Sequence, residues 1–210
     1  MKFDANVLMD HMSSVIQYYQ DYMVKTRYPK NKFEDPIWKR NKETGAYGFV
    51  PGKQIIKLTK VFMAVFDYLA KKVSEDLSFL DAGCGVGNML LIAYSIGFTS
   101  VSGIEFDEKT ITIARRLLRH TVHKEHYCKI IRADLMEYDE YRDYDVVYYY
   151  QPMRSSHMDK FLGLLKQDMK IGAIVIANGT CHQFGDSRKF KQILKPINIS
   201  PIDGIYEKVR

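Results

Sequence analysis

Between residues 79 and 88 the chain reads Phe79-Leu80-Asp81-Ala82-Gly83-Cys84-Gly85-Val86-Gly87-Asn88, and a second apolar run starts at once with Met89-Leu90-Leu91-Ile92. Three glycines at alternate positions between two apolar runs leave few options. The first run is short enough for a buried strand, and the second, closed by Gly97, has the length of a helix. The glycines allow a tight turn and a close backbone approach between them. A strand that turns sharply into a helix leaves the first N–H groups of that helix free to face a ligand.

The same rhythm continues downstream. Apolar strands are expected at Ser78–Ala82, Ser100–Glu105, Tyr127–Arg132, 145–150 and 172–178. Helices are expected between them at 88–95, from an Asp107 N-cap to about 120, and at 157–169. Strands alternating with helices imply a parallel sheet covered on both faces. The stretch 197–209 is too short for another crossover of a dozen residues, so it is expected to close as a hairpin-like pair with an antiparallel strand. Upstream, Leu8, Met12, Val15, Ile16, Tyr19 and Met23 recur at helical spacing over 5–24. A polar stretch with Pro29, Pro36 and Gly45 follows, and Pro51-Gly52 opens a second helix whose core face carries Ile55, Ile56, Val61, Phe62, Val65, Phe66 and Leu69.

With 210 residues, the chain has room for one such domain plus an appendage. We expect an N-terminal helical and basic appendage over 1–52, acting as cofactor lid and substrate side, and a core over 53–210. Hydrophobic residues at 46% and charged residues at 27% exclude disorder. No apolar run approaches the roughly 18 residues of a membrane span. Met1-Lys2-Phe3-Asp4 carries no signal-peptide apolar region, and Cys84, Cys128 and Cys181 are odd in number and far apart. Together these suggest reduced thiols and a cytoplasmic protein with no membrane partner.

The glycine turn alone fits two ligand classes, and two details separate them. Gly87 falls two residues after Gly85, so the pattern departs from the G-x-G-x-x-G of dinucleotide binders. Asp81 sits two residues before Gly83, where a carboxylate would repel a pyrophosphate and suit a ligand with an ammonium group. Glu105, 22 residues after Gly83, ends the second strand at about the spacing where an acid grips ribose hydroxyls. Phe106 is placed to stack beside a base. Asp134, followed by Leu135, adds another acid at the carboxyl edge, where ligands of open α/β sheets bind.

Asp81, the three glycines, Glu105 and Asp134, in this order and spacing, resemble the class I S-adenosylmethionine-dependent methyltransferases. The resemblance covers roughly 78–178. It implies an α/β, Rossmann-like, mostly parallel seven-stranded sheet with helices on both faces, and S-adenosyl-L-methionine as cofactor. The implied cofactor-binding residues are Asp81, Gly83, Cys84, Gly85, Gly87, Asn88, Glu105, Phe106, Asp134 and Leu135. In that family the glycine turn contacts the methionine part, an acid like Glu105 binds both ribose hydroxyls, and an acid like Asp134 contacts the adenine amine.

After the fourth strand comes Gln151-Pro152-Met153, where family members acting on nitrogen often carry Asn/Asp-Pro-Pro-aromatic. Gln151 could hold a target nitrogen through its amide oxygen, and is the expected catalytic positioning residue. A neutral amine needs only a place to shed its proton, whereas a hydroxyl needs a general base. No histidine or lysine stands out as one, so nitrogen is the favoured acceptor atom. Cys181 reads better as an inert loop thiol than as a cytosine-5 nucleophile, because the Pro-Cys companion of that chemistry is missing. His120, His123 and His126 lack an acidic ligand and turn away from one another, so no metal is expected.

Residues 25–60 hold ten Lys/Arg against three acids, a balance of +7, while the rest of the chain carries 21 against 22. Tyr28, Phe33, Trp38, Tyr47 and Phe49 interleave with those charges, a composition suited to single-stranded nucleic acid. The acceptor nonetheless stays open among nucleic acid, protein and small amines. Other uses of the fold are a non-catalytic binding partner, opposed by the intact glycine turn and Glu105, and an aminopropyl transferase, opposed by the lack of paired acids after the fourth strand. The oligomeric state is not legible.

Overall fold

The computed structural model describes residues 52–72, 76–121, 127–150, 152–153, 155–178, 182–185, 187–194 and 204–210. The expectations for residues 1–51, Gln151, Cys181, His123 and His126 lie outside the described residues, as does the His120 side chain.

Helix α1 (Gly52–Ala70) precedes a regular alternation: β1 (Ser78–Ala82), α2 (Asn88–Ile96), β2 (Ser100–Glu105), α3 (Glu108–Thr121) and β3 (Tyr127–Arg132). A 3-10 turn (Tyr141–Asp143) then leads to β4 (Val146–Tyr150), α4 (Ser155–Asp168) and β5 (Ile174–Asn178). The short α5 (His182–Gly185), β6 (Phe190–Leu194) and β7 (Gly204–Lys208) complete the chain. The seven strands form one sheet in the order β3-β2-β1-β4-β5-β7-β6. Strands β1 to β5 run parallel and β7 is antiparallel to both its neighbours. The chain order reverses between β1 and β4, which is where ligands of open α/β sheets settle.

Two apolar layers hold the sheet. On one face Leu58, Val61, Phe62, Val65 and Leu69 of α1 are buried at helical spacing, with Phe62 packed at 5.0 Å from the rings of both Phe79 and Tyr148. Helix α2 buries Met89, Leu90, Leu91, Ile92, Ala93 and Ile96, nearly its whole circumference, because α1 covers the side turned away from the sheet. On the other face Phe161, Leu162 and Leu165 of α4 join Tyr141, Tyr149 and Val147. Burial on both faces is what gives the central strands continuous apolar sequences.

The first three expected strands coincide with β1, β2 and β3. The fourth starts at Val146 and not at 145, because Asp145 is held by its side chain: Ser78 donates its N–H and Oγ–H to Asp145 Oδ2 at 2.8 and 2.7 Å, and Lys170 pairs with Oδ1 at 2.7 Å. The fifth starts at Ile174, since Gly172 sits at φ 85°, a left-handed conformation no strand contains. The terminal pair is real, but its first member is Phe190–Leu194, upstream of the stretch expected to supply it. Phe-Lys-Gln-Ile-Leu lacks the alternation of a half-buried strand, as befits a charged edge strand, and Phe184 packs at 4.8 Å on Phe190 to fix it.

Candidate cofactor site

Glycines 83, 85 and 87 all take positive φ, at 89°, 55° and 88°. This is the left-handed region that costs a side chain strain. The turn is anchored to the next strand, since Gly83 N–H and Cys84 N–H both donate to Ile104 O at 3.0 and 2.8 Å. It then closes on itself through Gly87 N–H to Cys84 O at 2.9 Å. Helix α2 begins immediately after it with no side-chain cap, so the first N–H groups, starting at Asn88, keep their bonding capacity and the positive end of the helix dipole. A Cβ built on Gly85 would meet nothing within 4 Å, so open space lies over the middle of the turn.

Glu105 reaches back across that turn. Its Oε2 accepts the Gly85 N–H at 3.0 Å, while Oε1 accepts the N–H groups of Phe106 and Asp107 at 2.8 Å each. Burial pushes its carboxyl above the ordinary range, opposed by those three N–H donors. Asp81, only 2% exposed, lies on the same face of the sheet, as strand alternation places it with Phe79. Burial first, and then the charge of Glu105, hold its carboxyl well above the usual carboxylate value. Two acids are thus confined beside a turn that offers only backbone, an arrangement that favours a cationic occupant.

The remaining expected residues fall around this centre. Phe106 is 63% exposed just beyond Glu105, with its ring available to a flat ligand. Ala133 N–H bonds Glu105 O at 3.3 Å and brings the end of β3 alongside, so Asp134 follows at the same edge. Asp134 is exposed, and its Oδ1 accepts the Met136 N–H at 2.8 Å. Leu135 is buried, with its methyl 3.9 Å from the position of a Cβ on Gly83. Cys84 turns its side chain inward. A Cβ on Gly103 would lie 2.6 Å from both its Cβ and its Sγ, so only the Cys84 backbone faces the turn. Burial drives its thiol pKa up, which makes it a packing group and not a nucleophile.

Two relationships were not expected from the sequence. A Cβ on Gly83 would come within 2.8 Å of Pro152 Cβ, so the turn after β4 rests directly on the glycine turn after β1. Asn178, buried at the end of β5, donates to the Tyr148 hydroxyl at 3.3 Å and ties β5 to β4 beside Asp81, the register partner of Tyr148. A tyrosine inside an apolar strand looks like plain core, and its hydrogen bond spans 30 residues, so no local signal announced it. Among the described residues, no group of three metal-ligating side chains comes together, and no helix is long and apolar enough to cross a membrane.

Comparison with known proteins bears on the same region. A family model described as a methyltransferase domain matches residues 79–172. No curated protein is similar enough in sequence to count as a relative. Among solved structures, a magnesium protoporphyrin IX methyltransferase from Synechocystis with bound SAM is 17% identical with a TM-score of 0.57, covering 85% of this chain and 93% of that one. A ribosomal protein L11 methylase from Lactobacillus delbrueckii is 14% identical with a TM-score of 0.55, covering 75% and 80%. An RNA methyltransferase from Salinibacter ruber in complex with S-adenosyl-L-homocysteine is 17% identical with a TM-score of 0.50, covering 76% and 91%. At these identities the likeness is one of fold.

Proposed function

We propose that the chain, which a methyltransferase-domain model matches over residues 79–172, is a class I S-adenosylmethionine-dependent methyltransferase that holds S-adenosyl-L-methionine across the ends of β1, β2 and β3 and passes the methyl group to a nitrogen nucleophile brought in beside the end of β4. The observation that carries this reading is the pair of acids, buried Asp81 and half-buried Glu105, beside a glycine turn with open space over Gly85.

The residues fit that cofactor. Glu105 Oε2 has taken one N–H and keeps a lone pair for hydroxyl donors, as a ribose requires. Asp81 would face the ammonium group, which offsets the cost of an ionised buried carboxylate. The N–H groups at the start of α2, Asn88 among them, would meet the carboxylate of the methionine part. Phe106 and Leu135 would flank the base, with Asp134 accepting from its amine. Asp81 would repel the pyrophosphate of NAD.

The cofactor supplies a sulfonium methyl already activated for displacement. The protein's work is therefore to align donor and acceptor and to exclude water. Pro152, seated on Gly83, brings the turn after β4 against the glycine turn after β1. Gln151 would hold the acceptor nitrogen through its amide oxygen while the nitrogen lone pair attacks, and the proton would leave to solvent. The N-terminal 1–52 segment would cover the cofactor and receive the acceptor. Calorimetric titration with S-adenosylmethionine, S-adenosylhomocysteine and NAD tests the reading. We expect the first two to bind and NAD not to; binding of NAD alone would overturn it.

A further inference from the structure

The outer edge of the sheet carries a charged ridge that the methyl-transfer reading does not use. Residues 108, 112, 115 and 119 form one stripe of α3, by helical spacing. Two contacts place that stripe over the open edge of β3: Arg132 Nη1 pairs with Glu108 Oε2 at 2.9 Å, and Arg115 Nη2 donates to Ile130 O at 3.4 Å. Among the described residues β3 pairs only with β2, so its other side is the free edge of the described sheet. Arg115, Arg119 and Arg132 are all exposed along it, and Glu108 is the one acid on the stripe, already engaged by Arg132.

Counted over α3 and Arg132, five Lys/Arg stand against a single acid, Glu108. The following stretch, 133–145, reverses this with six acids and one arginine, Arg142. Its buried Tyr138, Tyr141 and Tyr144 pack into the layer under α4, on the opposite face of the sheet from α3. The edge is therefore polarised, positive on the α3 side and negative on the other. A polyanion would be drawn to one side only.

We infer that this ridge binds the phosphodiester backbone of single-stranded nucleic acid. Arg115 and Arg119 follow each other along one line, as needed to track one backbone. Arginine predominates, whose fork suits phosphate oxygens. Among the described residues, the stripe and its edge expose no large apolar side chain, whereas a protein partner generally needs buried aromatic or aliphatic anchors. The ridge ends at Arg132, the register partner of Glu105, so a bound strand would run up to the mouth of the candidate cofactor site. The inference goes beyond methyl transfer and is tested with no methyl donor present.

Fluorescence anisotropy of a 20-nucleotide single-stranded RNA with the full chain, over a series of salt concentrations, decides it. The triple variant Arg115→Ala, Arg119→Ala, Arg132→Ala should bind at least tenfold more weakly. Its slope of log affinity against log salt should flatten by about 2, at ~0.7 per lost phosphate contact. Arg119→Glu, a single exposed change, should weaken binding in the same direction and guards against misfolding of the triple variant. Titration of S-adenosylhomocysteine should be unchanged in both, which separates failure of the ridge from failure of the cofactor assignment. RNA affinity and slope equal to wild type in both variants would overturn the inference. So would absence of RNA binding by the wild type, or polyglutamate of matched charge binding as tightly as RNA.

Discussion

Glu105 Oε2 accepts the backbone N–H of Gly85 at 3.0 Å, so the acid that ends β2 also clasps the glycine turn that ends β1. One carboxylate thus shapes the turn and remains available to a ligand lying on it. Glu105→Ala removes both contributions. Its affinity for S-adenosylhomocysteine should fall by about 1–3 kcal/mol, the scale of charge-assisted hydrogen bonds to hydroxyls. Glu105→Gln keeps an acceptor oxygen and should lose less. Unchanged affinity in the alanine variant, read by calorimetry, would remove Glu105 from the site.

The open space over Gly85 and the crowded space at Gly83 make a matched pair of tests. Alanine at Gly85 meets nothing within 4 Å and bears only the left-handed backbone at φ 55°, a cost of about 1–2 kcal/mol in stability. Its methyl would nevertheless occupy the proposed ligand volume, so cofactor affinity should fall more than stability does. Alanine at Gly83 adds the Pro152 clash at 2.8 Å to the same backbone strain and should lose stability first. Thermal melts with and without S-adenosylhomocysteine distinguish the two. Equal ligand-induced shifts in Gly85→Ala and wild type would count against a ligand over the turn.

Asp81 gives the free protein a pH dependence of definite sign. Its folded pKa lies well above 3.8, with burial as the larger cause and Glu105 next. A carboxyl raised on folding contributes stability below its unfolded pKa and loses it as pH rises through the folded value. Glu105, raised from 4.5, acts in the same direction. The ligand-free protein should therefore lose stability as pH climbs above about 4 on account of this pair. Asp81→Asn should flatten that part of the profile and melt higher at neutral pH. The ammonium-bearing cofactor should bind wild type more tightly as pH rises through the same window, and Asp81→Asn more weakly at neutral pH. A variant that melts lower than wild type at neutral pH would contradict the assignment.

What could be read ahead of the structure followed from where the physics is local. The turn from Gly83 to Gly87 and the strands around it declare themselves, because a buried parallel strand is a continuous apolar run and a left-handed turn selects glycine. Asp107 at the head of α3 was likewise legible as a cap, and its Oδ2 takes the Thr110 N–H at 2.9 Å. The edge strand Phe190–Leu194 was not, since its pairing with Gly204–Lys208 is non-local and its sequence is half polar. The inward turn of Cys84 was hidden for the same reason: its mate, Gly103, lies on the neighbouring strand. Pro152 could be read as a stiff turn, but not as the residue resting on Gly83.

That last contact bears on the acceptor. Gln151 is bracketed in the chain by Tyr150, which ends β4 opposite Asn178, and by Pro152, which touches the glycine turn. Under the proposed function Gln151 would act at the boundary between donor and acceptor. If it orients the acceptor nitrogen, its contribution is made in the transition state more than in the bound ground state. Gln151→Ala should then lower kcat by roughly 10- to 100-fold, with KM for the acceptor changed far less, since a single orienting hydrogen bond accounts for ~1.5–3 kcal/mol. Replacing Lys39, Arg40 and Lys42 with alanine should do the reverse for an anionic acceptor, raising KM, flattening its salt dependence and leaving kcat close to wild type. Affinity for S-adenosylhomocysteine should hold in both, because neither change touches the glycine turn or its acids. A methyl-transfer assay across small amines, peptides and RNA reads both variants on whichever acceptor turns over best. Wild-type kcat in Gln151→Ala on that acceptor would take Gln151 out of the reaction.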